Sequence, residues 1–380
     1  MPAFNSEERQ LLHDSVQGFF QSQYNFEHFR KLSDPAHADG FDRAAWTEYA
    51  NLGWLGVALP ENAGGTAAGM TELGIIMAAA GSALALEPFL ATVVLGASAI
   101  EFAGTPAQQS LLSDIGTGSY TLAFCHTEPD AGFARGYVNT IARVTDSGFS
   151  LSGEKSFALH AQAADALIVS ARIGDADGPL ALFVVPASAS GITRKTAATL
   201  DNRRGASVTL TDVNVDGISR LGSTDQDQTA TVDRILDRAV MAVCAEAAGA
   251  METVTQQTVD YLTTREQFGQ PLAKFQVLQH RLVDMNISSE SARAATHAAL
   301  IALDESAADA QTKVWRAKVQ MARSARYVGG QAIQLHGGMG MTDELAIGHY
   351  YKRLTLCETM FGDAQWYLKQ LANADGSESS

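Results

Sequence analysis

The chain has 380 residues, and its 27 Lys and Arg against 42 Asp and Glu give a formal charge of −15 at pH 7. With 46% hydrophobic and 18% charged residues, it has material for a large core and too little charge for a disordered chain. The acidic balance argues against nucleic acid or an anionic membrane as the main partner, because phosphate binding rests on clusters of Lys and Arg.

The three cysteines lie far apart and show no CxxC spacing, so the sequence indicates neither a zinc site nor a disulfide framework. We therefore expect a reducing compartment and no metal. The two longest uncharged runs, 73–86 and 88–100, are shorter than a bilayer span and suit buried helices. Residues 1–10 show no basic stretch followed by an apolar one, so no secretory signal is visible, and we place the protein in the cytoplasm.

The first third of the chain has a helical pattern. An apolar stripe over 45–52 stops at Gly53, which is a suitable residue after a helix end. After the loop at 60–65, alanine-rich runs continue to about Ile115. We predict four or five packed helices and an N-terminal helical domain over residues 1–118.

From Tyr120 to about Leu221 the apolar pattern changes from helical to alternating. Apolar residues alternate over 138–144, Asp-Ser-Gly at 146–148 supplies a turn, and the strand pattern then resumes. The sequence therefore predicts a β domain over residues 119–222, with the strands in a small barrel or sandwich.

After a polar stretch at 223–229 the helical pattern returns. It covers four segments, 232–263, 275–304, 311–335 and 343–371. These segments are long for globular helices and predict a helical bundle over residues 230–375. The predicted fold class is mainly α with a β middle domain.

Residues 264–272, TREQFGQPL, end one predicted helix and turn toward the next. An Arg followed by Phe and Gly at such a turn can grip a phosphate with a bidentate guanidinium and offer a ring for stacking. Taken singly, the pattern is better interpreted as an ordinary arginine at a helix end with a helix-stopping glycine after it.

Two further stretches are also weak signals when taken singly. In 334–342, QLHGGMGMT, the paired glycines let the backbone approach a ligand and aim N–H groups at an anionic oxygen. Residues 127–132, TEPDAG, lie at the start of the β domain and by themselves indicate a turn. Together with GEKSF at 153–157, however, the order and spacing of the three stretches resemble the acyl-CoA dehydrogenase family across nearly the whole length.

That resemblance implies an N-terminal helical domain, a middle β domain and a C-terminal four-helix bundle. It also implies an FAD cofactor that lies between the β domain and the bundle and contacts a neighbouring subunit. By the resemblance, Arg265, Gln267 and Phe268 hold the pyrophosphate and adenine end of the FAD of the adjacent subunit.

The rest of the implied cofactor contacts come from three other places in the chain. By the same resemblance, Gln334, Gly337 and Gly338 receive the pyrophosphate and adenine portion. Thr127 sits at the pyrimidine edge of the flavin, and Phe157 lies near the isoalloxazine ring.

The chemistry implied is α,β-dehydrogenation of an acyl-CoA thioester. A carboxylate removes the α-proton while hydride leaves the β-carbon for flavin N5, and the electrons then pass to an electron-transfer flavoprotein. Because the α-proton is weakly acidic, the base must be well placed and the thioester carbonyl must be polarised by hydrogen bonds. A Glu or Asp close to the flavin is therefore expected.

The sequence departs from the family pattern at this base. Counting from the paired glycines brings the usual Glu position to Phe361, and counting back from Arg265 brings the other known position to Ala239. The nearest acidic residues are Asp363 and Asp237, each two residues away. On a helix a shift of one or two residues changes the face, so neither replaces the Glu without a backbone adjustment.

Two polar contacts of the family are also absent. The Ser or Thr that normally meets flavin N5 is Leu159 here, and the Ser that helps hold CoA is Phe133. We interpret these changes as the mark of a subunit whose own active site is altered or lost. Phe-Gly-Asp at 361–363 resembles the companion chains of bacterial heteromeric acyl-CoA dehydrogenases that shorten steroid side chains, in which only one subunit type carries a complete site.

In such a dimer or tetramer the chain pairs with a second, catalytic acyl-CoA dehydrogenase subunit, and it donates Arg265 and the 337–338 loop to a shared FAD. Two alternatives stay open. One is a self-sufficient homo-oligomer with Asp363 or Asp237 as base, where Asp363 is otherwise a helix cap or ion-pair partner. The other is a non-catalytic structural or regulatory relative.

The remaining polar candidates are interpreted as structural. Glu246 lies too far along its helix to replace the base. His336 and His160 are better read as hydrogen-bond anchors than as acid–base groups. Cys125 beside His126 lacks the third, orienting group that a nucleophilic thiol needs.

Overall fold

The computed structural model describes residues 6–223 and 226–377. Its α-helices are α1 (Ser6–Gln23), α2 (Phe26–Ser33), α3 (Arg43–Asn51), α4 (Met70–Ser82), α5 (Ser98–Ala103), α6 (Leu111–Gly116), α7 (Thr229–Thr264), α8 (Gln276–Asp304), α9 (Ala310–His336), α10 (Ile347–Thr359) and α11 (Ala364–Ser377). Its strands are β1 (Leu122–Cys125), β2 (Ile141–Thr145), β3 (Gly148–Leu159), β4 (Ala166–Ile173), β5 (Leu180–Pro186), β6 (Ile192–Ala198), β7 (Arg204–Asp216), β8 (Glu266–Gln267) and β9 (Gln270–Pro271).

The described residues form two compact units. Residues 31–68 and 86–239 make the first unit, and residues 6–30, 69–85 and 240–377 make the second. The domain boundaries predicted from the sequence, 1–118, 119–222 and 230–375, are drawn along the chain and stay a prediction.

The first unit contains one seven-stranded mixed sheet. Strand β4 pairs along one edge with antiparallel β5, and along the other with β1 and then β2, both parallel to it. From β2 the sheet continues through antiparallel β3, β7 and β6, and the predicted turn at 146–147 joins β2 to β3. The predicted β middle domain is therefore confirmed, as a single curled sheet.

The helices of the first third are more numerous than predicted. Six α-helices precede the sheet, and the apolar run at 88–100 forms a π-helix over Phe89–Ala97 in which every residue is buried. The end of α3 is as predicted, because Gly53 follows it with φ +76°, a conformation that glycine adopts without strain. The number of helices was predicted too low, because short helices and non-α segments lack a full amphipathic stripe.

The second unit is built from long helices. Helices α7, α8 and α9 contain 36, 29 and 27 residues, close to the predicted segments. The predicted helix 343–371 is wrong as one segment, because the chain breaks at 360–363 between α10 and α11. Phe361 at φ +59° and Gly362 at φ +120° leave the helical region there. No helix within the described residues is long and apolar enough to cross a membrane.

A buried ion pair lies at the centre of the second unit. Arg353 of α10 is fully buried, and its guanidinium donates to Glu246 of α7 at 2.5 Å. It also donates to the carbonyl oxygens of Leu84 and Ala85, at 3.3 and 3.1 Å, just after α4. One side chain therefore joins α7, α10 and the end of α4. This geometry supports the interpretation of Glu246 as a structural residue.

We expect Arg353→Leu to lower the free energy of unfolding by about 3–5 kcal/mol, because it leaves the Glu246 carboxylate buried without its partner. Replacing both partners by leucine should recover much of that loss. Arg326→Leu is the matched control, since Arg326 is exposed in its pair with Glu358 and should change stability far less. Urea unfolding of the variants measures this, and equal losses for Arg353→Leu and Arg326→Leu would contradict it.

A second buried carboxylate, Glu87, has no cation beside it in the first unit. Its oxygens accept hydrogen bonds from the backbone N–H of Asp42 and Leu86 and from the Tyr49 hydroxyl. Burial raises the pKa of Glu87 to about 7, because desolvation of the charge outweighs these hydrogen bonds. The folded state therefore holds a proton that the unfolded chain releases near pH 4.5.

The stability supplied by protonated Glu87 is present below pH 4.5 and is lost as the pH rises toward 7. We expect Glu87→Gln to remove this dependence and to raise stability at pH 8, relative to wild type, by on the order of 2–3 kcal/mol more than at pH 4. Glu61→Gln, at an exposed position, is the control. Denaturant unfolding at both pH values tests it, and a constant difference between variant and wild type would refute it.

Candidate functional site

The first predicted motif forms a small hairpin directly after α7. Strands β8 and β9 pair through Gln267 and Gln270, and the backbone N–H of Leu272 donates to the Arg265 carbonyl at 2.9 Å. The two turn residues, Phe268 and Gly269, have φ of +55° and +79°, which is the pattern of a type I′ turn. The interpretation of the glycine as a helix stop is therefore wrong, since α7 has already ended at Thr264.

The hairpin presents its side chains to the outside of the chain. Phe268 is 89% exposed, although it is apolar and has a left-handed backbone that bulky residues rarely adopt. Within the described part of the chain, the exposed guanidinium of Arg265 has no hydrogen-bond or ion-pair partner. Gln267 is also exposed and donates only to the neighbouring carbonyl of Glu266. The turn thus presents a cation without a partner among the described residues and a largely exposed ring, which makes only an edge contact with Phe275 at 6.1 Å between centroids.

The glycine motif follows α9 as a short 3-10 helix, Gly337–Met341, whose first three residues are exposed. Gly337 has φ +58° and ψ −138°, a combination that favours glycine, and a Cβ at Gly338 would meet no atom within 4 Å. Exposed Gln334 precedes the loop. The loop is anchored by His336, whose Nδ1 lies 2.8 Å from the Ala332 carbonyl and whose ring stacks on Tyr261. His336 therefore has the anchoring position that the sequence suggested.

The two flavin-end residues lie on the sheet of the first unit. Thr127 is exposed after β1, and its carbonyl accepts a hydrogen bond from the Ser156 N–H at 2.9 Å. Phe157 lies where the pairing of β3 with β7 shifts register between Lys155 and Ala158. Such an irregularity re-aims a side chain, and the ring of Phe157 lies over Gly205, where a Cβ would approach it to 2.6 Å.

A buried ion pair fixes the loop that carries Thr127. The fully buried Lys155 donates to Glu128 at 2.6 Å and to the Ser170 carbonyl at 2.7 Å, and Glu128 also accepts from the Thr140 hydroxyl. Burial lowers the pKa of Lys155, and burial by itself would raise the pKa of Glu128. Lys155 and the hydrogen bonds outweigh that effect and lower the pKa of Glu128. Glu128 is therefore a structural carboxylate.

Phe361, the predicted position of the family's base, lies in the turn between α10 and α11. The Phe361 carbonyl accepts a hydrogen bond from the Tyr367 hydroxyl at 2.7 Å, and a Cβ at Gly362 would approach the Tyr367 ring to 2.6 Å. Asp363 Oδ1 accepts the backbone N–H of Trp366 at 2.8 Å, which is the geometry of a helix N-cap. The turn is thus held on both sides by the start of α11.

The second known position of the base, Ala239, is a fully buried residue of α7. Its charged neighbours are already paired within the first unit. Asp237 accepts from Arg135 at 2.8 Å, and Arg238 donates to Glu101 at 2.7 Å.

The structure agrees with the interpretation that Cys125 is not a nucleophile. Burial raises the pKa of Cys125 to about 12, so that the thiolate is not formed at neutral pH. His126 is buried as well, and burial lowers its pKa to about 3. Its ring nitrogens lie 3.0 Å from the Ser170 hydroxyl and 2.9 Å from the Arg135 carbonyl. Burial also lowers the pKa of His160 to about 3, so it is no acid–base group near pH 7.

Two polar residues near the turn were missed from the sequence. Lys318 of α9 is fully buried, and its ammonium donates to the carbonyl of Cys357 in the last turn of α10 at 2.5 Å. Glu358, one helical turn before Phe361, pairs through both oxygens with Arg326. The only sequence signal for Glu358 is that it lies three residues before Phe361, which places the two residues on the same side of a helix. Both side chains fix the end of α10.

The residues of the hairpin and of the glycine motif fit a bound dinucleotide. An unpaired guanidinium, an exposed ring and an open glycine backbone are the groups that a pyrophosphate and an adenine need. Among the described residues, no group of three or more His, Cys, Asp or Glu side chains is placed to hold a metal ion.

Comparison with known proteins covers nearly the whole chain. Family models match in three consecutive segments: acyl-CoA dehydrogenase N-terminal domain at 6–118, middle domain at 123–216 and C-terminal domain at 230–374. The chain is 33% identical over 354 residues to acyl-CoA dehydrogenase FadE12 of Mycobacterium tuberculosis, a match that covers 90% of this chain and 89% of FadE12.

Two solved structures share this fold. The steroid ACAD Tcur3481–Tcur3483 is 30% identical with a TM-score of 0.88, and the match covers 98% of this chain and 99% of that one. The ChsE4–ChsE5 complex of Mycobacterium tuberculosis is 26% identical with a TM-score of 0.88, and the match covers 99% of both chains. The predicted fold is confirmed, and the chain belongs to the acyl-CoA dehydrogenase family, whose members are FAD-dependent oxidoreductases acting on the CH–CH bond of an acyl-CoA.

Proposed function

We propose that this chain is the companion subunit of a heteromeric acyl-CoA dehydrogenase that acts on a bulky acyl-CoA, such as a steroid side-chain thioester. One feature of the sequence carries the proposal: counting from the family's motifs puts the two positions of the base at Phe361 and Ala239, while the motifs for the cofactor are present. The nearby acidic side chains have other tasks, since Asp363 caps α11 and Asp237 pairs with Arg135.

The relatives support a heteromer with this substrate class. One similar structure is named a steroid ACAD with two gene products, and another is named a complex of ChsE4 with ChsE5. Both are at least 26% identical to this chain over almost all of its length. By analogy, we assign this chain a catalytic partner of the same family and an electron-transfer flavoprotein as the acceptor of its electrons.

In this proposal the chain binds and orients the cofactor, and the partner removes the proton. Arg265 pairs with a pyrophosphate oxygen, the N–H groups at 337–338 donate to the same portion, and Phe268 stacks on the adenine. When bound, FAD supplies the acceptor for the hydride that leaves the β-carbon. The α-proton goes to a carboxylate of the partner, because the turn at 360–363 offers an aromatic ring where that carboxylate would stand.

Co-expression with a candidate partner tests this division of labour. We expect the chain alone to dehydrogenate acyl-CoAs at least a hundredfold more slowly than the complex, because a positioned base contributes about 10²–10⁴ to the rate. The measurement is reduction of a dye acceptor by the purified chain, alone and in complex. Full activity of the chain alone would refute the heteromer. Absence of flavin absorbance in both preparations would instead favour a non-catalytic relative.

Arg265→Met in this chain should strip flavin from the complex, because it removes the bidentate contact to the pyrophosphate. Lys274→Met, on the exposed segment just after the hairpin, is the matched control and should leave the flavin content unchanged. The ratio of flavin to protein absorbance is the readout. Equal flavin in the two variants would remove Arg265 from the cofactor site.

Asp363→Asn separates the cap from the base. Asn is as good an N-cap as Asp, so this variant should keep both stability and the activity of the complex, while Asp363→Ala should cost about 1 kcal/mol of stability. Unfolding curves and the rate of the complex, measured side by side, decide between the roles. Loss of activity in Asp363→Asn with stability and flavin retained would show that this carboxylate is the base.

A further inference from the structure

The second unit contains a large cavity away from the residues assigned to the cofactor. Its volume is about 1640 Å³, and its walls come from α1, α4, α7 and α8. None of Arg265, Phe268, Gln334, Gly337 or Gly338 lines it. We propose that this cavity is a second ligand site, for an uncharged amphipathic molecule with a hydroxyl or carbonyl group.

One part of the wall is apolar and made of small side chains, and the rest carries polar groups such as Gln17, Gln256 and Asn286. Ile75 and Ala78 of α4 face it together with Ala245 and Ala248 of α7. On α1, Gly18 lines the cavity, and a Cβ there would meet no atom within 4 Å, which shows open space beside the helix. Such a surface suits the apolar body of a ligand, and the volume exceeds the about 300–1,000 Å³ of ordinary small-molecule sites.

Two buried hydroxyls in the wall have no partner among the described residues. Thr255 of α7 is 7% exposed and Thr296 of α8 is 3% exposed, and neither Oγ1 makes a hydrogen bond. By contrast, the hydroxyl of Thr258 in the same helix donates to the Val254 carbonyl at 2.6 Å. A buried hydroxyl without a partner is costly, and a χ1 rotation turns it toward the cavity that its side chain lines.

The charges around the cavity define the ligand class. Both arginines of the wall are already neutralised, Arg9 by Glu72 at 2.7 Å and Arg293 by Glu290. The carboxylates of Asp14 and Glu252 also line the cavity, so its wall repels an anion. Unpaired cations are what a phosphate or carboxylate would need, and neither arginine is available for one. A neutral ligand that meets the two threonine hydroxyls fits this wall, and an acyl-CoA, a nucleotide or a fatty acid anion does not.

Fluorescence titration with Nile red, a neutral amphipathic dye that carries a carbonyl group, tests the site in the flavin-loaded protein. We expect saturable binding that 1-dodecanol displaces and that dodecanoate displaces at least tenfold more weakly. Ile75→Trp should weaken binding severalfold, because the larger ring takes up part of the space beside the apolar wall. The proposal is overturned by non-saturable binding, by displacement with an acyl-CoA, or by unchanged binding in Ile75→Trp.

Removal of the two hydroxyls gives the sharper test. Thr255→Val and Thr296→Val should each weaken dye binding about fivefold, the effect of one neutral hydrogen bond, while stability stays equal or rises. Thr258→Val is the matched control, since it loses a formed hydrogen bond. It should lower stability and leave dye affinity unchanged. Unchanged dye affinity in the Thr255→Val and Thr296→Val double variant would overturn the assignment of the hydroxyls and with it the ligand class.

Discussion

The buried ion pair of Glu246 and Arg353 fixes how three helices of the second unit pack together. A buried guanidinium without partners is too costly, so Arg353 must keep its hydrogen bonds to one carboxylate on α7 and to two carbonyl oxygens after α4. These bonds fix the position of α10 relative to α7 and to the end of α4. Because α10 is fixed by Arg353, its last turn and the break at 360–363 are fixed too. The buried Lys318 adds a second constraint by holding the Cys357 carbonyl at the end of the same helix.

The sheet of the first unit uses the same device. Lys155 and Glu128 are both buried, and their hydrogen bonds extend to the backbone around Ser170 and Thr140. Glu128 follows Thr127 directly in the chain, and Lys155 lies two residues before Phe157. Each unit therefore contains desolvated charges with several partners, which penalise any displacement more strongly than apolar packing does; in the first unit they flank the predicted flavin residues, and in the second they fix the end of α10.

The sequence predicted the long periodic elements and missed the short ones. The amphipathic stripes of α7, α8 and α9 are strong signals because they repeat over many turns. The hairpin at 266–271 has two residues per strand, so no periodicity exists to detect, and a phenylalanine at φ +55° is rarely expected in a turn. The break before α11 was missed because Gly362 alone is compatible with a helix, and the pairings of Lys318 and Arg353 depend on contacts distant in sequence.

The site shows why a cofactor motif and a base can separate. The groups that suit the nucleotide are a guanidinium, a ring and a glycine backbone, and the hairpin keeps an exposed phenylalanine in a left-handed conformation to present them. Such an arrangement is costly for the chain alone, because a bulky residue rarely adopts this backbone and an exposed ring gains no burial. The predicted position of the base is a single side chain on a turn, and that side chain is Phe361 here. The turn itself is held by the N-cap Asp363 and by the hydrogen bond from the Tyr367 hydroxyl to the Phe361 carbonyl. Replacement of that single side chain costs the fold little, because the hydrogen bonds that hold the turn do not come from the side chain of residue 361.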